Sequence, residues 1–247
     1  SFTVFFILYF IIMGGNSSSL RKIVSSKRKR SIKPTRTIIP TPKECIPSSS
    51  VNNSPPPSRI NKQKIETLFD NYADGESDEM GPNGVLRFCD DIEVDPEDIS
   101  ILVLSYYMNA QTMCYFTRDE FVNGMTTLGC DSISKLKKKL ATFSSLMNNP
   151  QFFEKVYLFV FNWSRESPES RTLDIEMTCD MLKLLYNNSN QKSSLISHLC
   201  NYLVSQTEYK AVNKDQWNSF YDFCATTISL EDYDATGSWP VMIDEFV

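Results

Sequence analysis

The sequence predicts an all-α protein built from helix–loop–helix units. Three observations carry that prediction: apolar residues recur at helical spacing from Asn61 onward, capping residues precede those runs, and alternating strands are hard to find apart from short pairings in loops. Of the 247 residues, 41% are hydrophobic, enough for residues 59–247 to bury a core as one domain or two small lobes of helices.

In KIETLFDNYA, Ile65, Leu68, Phe69 and Tyr72 stand at i, i+3, i+4 and i+7, which is one helix face. Asp95-Pro96 predicts a second helix over 96–109, with Asp95 at the N-cap, Pro96 in the first turn, and Ile99, Leu102, Val103 and Tyr106 on its apolar side. Thr117 caps a third helix, and Glu120 completes a capping box. Further helices are predicted over 132–148, 150–164, 174–187, 193–206 and 213–228.

Charge divides the chain. Residues 1–58 hold nine Lys/Arg and one acid, a net +8, whereas residues 59–247 hold 16 bases and 29 acids, a net −13. The two parts therefore face different partners. The acids concentrate toward the end. Val212–Val247 carries Asp215, Asp222, Glu231, Asp232, Asp234, Asp244 and Glu245 against the single base Lys214, interleaved with Trp217, Phe220, Tyr221, Phe223, Trp239 and Phe246. Such a segment packs on its aromatic side and presents a negative surface, which attracts a basic partner and repels nucleic acid. Docking, not chemistry, is the expected function.

At the other end, Ser1–Ile12 is apolar but too short to span a bilayer, which takes about 20 residues. It also lacks the basic flank of a signal peptide. We expect residues 1–12 to lie outside the mature protein, with translation starting at Met13. MGGNSS over 13–18 then fits the myristoylation pattern, with Gly14 as acceptor and membrane association following only if Gly14 is acylated. One acyl chain binds membrane weakly, and Lys27-Arg28-Lys29-Arg30 would be a second signal. The same four residues also read as a nuclear address, or as a solvated basic run. Residues 13–58 carry seven of the twelve prolines and many Ser, Thr and Asn, a composition of a disordered tail.

Catalytic and metal motifs are sparse. The seven cysteines are an odd number with no paired spacing, which fits a reducing compartment and small buried apolar residues more than a disulfide framework or zinc site. His198, the only histidine, lies in a helical stretch and reads as a packing or surface residue. No glycine-rich phosphate loop occurs, and the pairs Asp90-Asp91 and Asp244-Glu245 suit capping or surface roles. A thiol enzyme using Cys114 or Cys130 is a further class to test. A calcium loop needs oxygen ligands at positions 1, 3 and 5, Gly at 6 and Glu at 12. The loop from Asn109 places Gln111, Met113, Cys114 and Glu120 at positions 3, 5, 6 and 12; the loop from Asp70 ends on Gly81. A helix–loop–helix scaffold without metal is expected, with a calcium-binding or other non-catalytic helical adaptor as the alternative.

Several longer stretches carry a family likeness. FCDDIEVDPEDISILVLSY (88–106), YFTRDEFVNGMTTLGCDSISKL (115–136), LDIEM (173–177), NKDQWNSFYDF (213–223) and YDATGSWPVMIDEF (233–246) resemble the PONY domain of the defective-in-cullin-neddylation (DCN-type) family, in the family's order and over about 60–247. The basic tail is similar to that of the animal members with a nuclear-type N-terminus, and MGGNSS to the myristoylated member. The resemblance implies two lobes of helices with EF-hand-like units that bind no metal. It implies a monomeric, cofactor-free scaffold for neddylation that holds a cullin and a charged E2 together, with the RING subunit engaged indirectly and no covalent intermediate on the scaffold. Nucleus and cytoplasm are the implied locations.

The resemblance also implies two sites. Asp215, Ser238 and Asp244 match the acidic patch that docks the C-terminal region of a cullin, with serine in place of the family's alanine. A buried hydroxyl without a partner costs about 1–3 kcal/mol, so Ser238 bears on affinity. Val85, Ile101, Leu102, Leu104, Cys114, Phe116, Trp163 and Leu184 match an apolar pocket for the acetylated N-terminal methionine of the E2. From the residues alone these eight read as ordinary core.

Overall fold

The computed structural model describes residues 60–75, 78–187, 192–227, 233 and 239–247. The tail over 13–58, with Gly14, lies outside them, as does Ser238. The fold is all-α with two short sheets. In chain order the elements are α1 (Lys62–Asp70), β1 (Glu79–Met80), α2 (Pro82–Ile92), α3 (Ile99–Met108), β2 (Phe116–Thr117), α4 (Arg118–Thr127), α5 (Ile133–Leu140), α6 (Phe143–Met147), α7 (Pro150–Trp163), β3 (Thr172–Asp174), α8 (Ile175–Tyr186), α9 (Ser193–Ser205), β4 (Ala211–Asn213), α10 (Lys214–Thr226) and α11 (Val241–Asp244).

Most helices begin where local chemistry says they should. Asn61, Asn149 and Asp174 each accept an amide proton from the first turn of the helix they precede. The capping box at Thr117 forms as expected, with Thr117 Oγ1 accepting from Glu120 N and Glu120 from Thr117 N. The second predicted helix starts later than expected. Asp98, not Asp95, caps α3 by accepting from Ser100 N; Asp95 accepts from Glu97 N at 2.8 Å and closes a turn through Pro96. The span expected over 132–148 is two helices. Thr142 N and Oγ1 both donate to Lys139 O, a tight turn that ends α5 before α6 begins.

Helix α2 has no counterpart among the predicted elements. It carries Pro82 in its first turn and Gly84 inside it, and glycine there is a packing requirement. A Cβ at Gly84 would stand 2.1 Å from the Tyr72 carbonyl oxygen. At Gly124 of α4 it would stand 2.8 Å from the Met108 Cα, which is how α4 lies close on α3.

The two sheets are antiparallel and tie distant loops together. β1 pairs with β2 through Glu79↔Thr117 and Met80↔Phe116, and β3 pairs with β4 through Leu173↔Val212 at its centre. One contiguous hydrophobic core runs from Ile65 to Ile243. Helix α7 is its spine, packing on α3, α6 and α10. Tyr157 of α7 stacks on Trp217 of α10 at 4.6 Å, and the pair is locked reciprocally: Tyr157 Oη donates to the Trp217 carbonyl and Trp217 Nε1 to the Tyr157 carbonyl, at 2.7 and 3.1 Å. Among the described residues no helix is long and apolar enough to cross a membrane.

Candidate functional site

The acidic C-terminal end is built on α10 and α11. A second capping box, Asn213 with Gln216, starts α10 directly after β4. Trp217, Phe220 and Phe223 turn inward, which leaves Asp215 and Asp222, seven residues apart on one helix face, exposed. Asp215 sits in the first turn, where the helix dipole favours a negative charge. In α11, Met242 and Ile243 are buried, and Asp244 and Glu245 emerge beyond them into solvent.

Both of those carboxylates are held. The Tyr233 hydroxyl donates to Asp244 Oδ1. Tyr202 and Tyr209 both donate to Glu245 Oε2, at 3.2 and 2.7 Å. The Glu245 carboxylate in turn pushes the Tyr209 phenol up to about 12. A phenol fixes a carboxylate without cancelling its charge, so Asp244 and Glu245 are held in place and still present a negative surface. Phe246 packs on Tyr202 and Phe223, and Trp239 meets Phe223 edge-on. Phe223 therefore joins α11 to α10, with Asp215 roughly 12 Å along the helix axis from it. Sequence reasoning missed the three tyrosines.

The eight apolar positions fall on several elements. Val85 lies on α2, Ile101, Leu102 and Leu104 on α3, Cys114 and Phe116 at β2, Trp163 at the end of α7, and Leu184 on α8. Seven are buried and Leu184 is half-buried, and all but Cys114 lie within the one core or against it. Trp163 stacks on Phe159, which meets Tyr106 of α3. Two features are unusual for plain core. Trp163 Nε1 is buried with no hydrogen-bond partner. Cys114 holds a left-handed backbone, φ +64°, which costs a β-carbon-bearing residue on the order of 1 kcal/mol. Burial, with Cys89 close by, pushes its thiol up to about 12, and burial raises Cys130 too. Neither sulfur is a thiolate nucleophile at neutral pH.

In the loops that begin at Asp70 and Asn109, several carboxylates are already paired with protein groups. Glu120 accepts from Gln111 N through one oxygen and from Thr117 N through the other, at 2.9 and 2.8 Å, and burial raises its pKa. Arg118 reaches back to Asp70 at 2.7 Å and Asp78 at 2.5 Å while its guanidinium lies over the Phe69 ring. Among the described residues no three His, Cys, Asp or Glu gather around a point that would hold a metal. His198 is exposed on α9, the surface alternative of its two readings. All six cysteines among the described residues are buried and free, as expected.

Comparison with known proteins places this arrangement. Residues 135–247, which include the whole acidic end, match the family described as "Cullin binding". The chain is 37% identical over 212 residues to DCN1-like protein 5 of Homo sapiens and of Bos taurus, covering 83% of this chain and 87% of each relative. It is 40% identical over 190 residues to DCN1-like protein 4 of Drosophila melanogaster, covering 76% and 75%.

Proposed function

The chain belongs to the DCN1-like, cullin-binding protein family, and on that premise we propose that it acts in cullin neddylation as a scaffold-type co-E3. It holds a cullin and the neddylation E2 side by side, so that the ubiquitin-like modifier passes from the E2 to a cullin lysine. No residue of the scaffold takes part covalently. The observation that carries this reading is the exposed carboxylate set on α10 and α11, Asp215 and Asp244, inside the segment matched to cullin binding.

The physical role is positioning. Exposed ion pairs each contribute about 0–1 kcal/mol, so the acidic set acts by clustering and by steering a basic cullin surface into contact. The apolar set around Val85, Ile101, Cys114 and Phe116 is proposed to take the acetylated N-terminal methionine of the E2. Acetylation removes a terminal charge that would be costly to bury, and the methionine side chain contributes about 1.5–3 kcal/mol. Two modest contacts on one body raise the effective concentration of E2 near its target lysine. The RING subunit is engaged only through the cullin.

The test is a reconstituted cullin modification assay with and without this chain. We expect modifier transfer to accelerate with the chain present; an unchanged rate rejects the proposal. Within it, Asp215→Lys with Asp244→Lys is expected to weaken cullin pull-down at least tenfold, about 1.4 kcal/mol or more, with the melting curve unchanged. An unacetylated E2 peptide that binds as well as the acetylated one removes the pocket from the mechanism. We further propose action in nucleus and cytoplasm, with membrane association only where Gly14 is myristoylated. Gly14→Ala in cells, followed by fractionation, reads that out.

A further inference from the structure

Helices α8 and α9 pack as neighbours, and at their contact two thiols face each other. Cys179 Sγ donates to the Cys200 carbonyl and Cys200 Sγ donates to the Cys179 carbonyl, both at 3.7 Å. Both residues are buried. Each sulfur lies against the backbone of the other residue, so the two thiols share one contact between the helices. We propose that Cys179 and Cys200 form a redox modification site, a prepositioned dithiol that hydrogen peroxide converts to a disulfide joining α8 to α9.

The electrostatics assign the roles. Hydrogen bonding from Cys179 holds the Cys200 thiol below its ordinary value, with Lys183 helping and burial, Asp180 and Cys224 opposing. The same bond raises Cys179, which keeps its proton. Cys200 is thus the sulfur that ionises and Cys179 the one that resolves. The Cys200 thiolate attacks one peroxide oxygen, the O–O bond breaks, and with one proton the products are a Cys200 sulfenic acid and water. Cys179 then attacks the sulfenic sulfur. Its proton leaves with the expelled hydroxide as a second water, and the S–S bond remains. Two thiols lose two electrons and one peroxide is reduced to two waters.

A control is built into the molecule. Cys89 and Cys114 are also close enough to feel one another, but burial pushes both thiols up to about 12, which leaves no thiolate to start the reaction. Cys224 is likewise pushed up to about 12. Burial of the reactive pair makes its oxidation slow and dependent on local opening. The bond would stiffen the pair of helices that carries Leu184 on one side and Tyr202, the partner of Glu245, on the other.

The experiment treats the full chain with hydrogen peroxide, blocks remaining thiols after unfolding, and maps peptides without reduction. We expect one cross-linked pair, Cys179 with Cys200, an intact mass lower by about 2 Da that dithiothreitol restores, and a Tm raised by roughly 5 °C. Cys179→Ser, which keeps a hydroxyl donor beside Cys200, should strand Cys200 as a sulfenic acid that dimedone traps, and Cys200→Ala should leave Cys179 reduced. Recovery of both thiols unmodified, a Cys89–Cys114 bond forming first, or a lowered Tm overturns the proposal. If either variant fails to fold, the mapping of the unsubstituted chain decides alone.

Discussion

The two halves of the molecule treat several of their acidic residues differently, although Tyr72 holds Asp91 in the first half as phenols hold Asp244 and Glu245 in the second. Up to α6, acids are spent internally: Asp70 and Asp78 on Arg118, Asp131 on Lys135, Glu93 on Lys137, and Glu120 on two backbone amides. Beyond α7, Asp244 and Glu245 are fixed by phenols, and Asp215 stands exposed at a helix start. Charges paired with bases close loops but project little field. Charges held by neutral hydroxyls keep their place and their field together. The N-terminal half therefore uses electrostatics for shape, and the C-terminal half leaves its charge free for the recognition proposed above.

That contrast depends on both halves sharing one core, and Trp217 is where it breaks most easily. Its side chain is fully buried and stacked on Tyr157. Trp217→Ala should cost about 3–5 kcal/mol through the cavity it leaves. Urea unfolding followed by circular dichroism should show one transition with a lowered midpoint and an unchanged slope. Two separate transitions would mean that the halves fold independently and that the common core is no more than contact.

How far the sequence announces this division varies by element. The capping box at Thr117 and Glu120 is local, spanning three residues along the chain, and the pattern of residues states it directly. Helix α2 is hidden because Gly84 answers to the Tyr72 carbonyl, twelve residues earlier, and not to its own helix. The break after α5 turns on how Thr142 satisfies one carbonyl. At the acidic end, exposure of Asp215 and Asp244 follows from the inward spacing of Trp217, Phe220, Met242 and Ile243. The tyrosines that hold Glu245 come from 43 and 36 residues away, with no periodic signal to announce them. For the apolar set, a residue type states that Ile101 or Leu102 prefers burial. Whether it lines a core or a cleft depends on what the partner does.

Arg118 sharpens the comparison at an intermediate scale. Two partly exposed ion pairs contribute about 0–1 kcal/mol each and the contact over Phe69 about 0.5–1 kcal/mol. Arg118→Ala should therefore destabilise by about 1–2 kcal/mol while cullin pull-down at low temperature is unchanged. The charge reversals at Asp215 and Asp244 should do the reverse. A loss of pull-down in the Arg118 variant, with the fold retained, would erase the distinction between shape and recognition.

The smallest effect is a pH dependence confined to the first half. Asp131 accepts from Lys135 Nζ at 2.7 Å and from Asn61 N at 3.3 Å, so it fastens the start of α1 to α5. Lys135 holds its carboxyl below the ordinary 3.8, with burial opposing and the Asn61 amide assisting. A carboxyl more acidic in the folded state adds stability above its unfolded value, and that stability drains away as pH falls through the folded value. Asp131→Asn should thus lower Tm at neutral pH, with the gap to the parent chain persisting down to 3.8 and closing below it. Asp244→Asn at neutral pH should leave stability within about 0.5 kcal/mol, since its carboxylate is exposed and an amide oxygen still accepts from Tyr233. Thermal melts of the two variants between neutral and acid pH set a base-paired acid against a phenol-held one; equal behaviour would mean that the phenol-held carboxylates support the fold as the base-paired ones do.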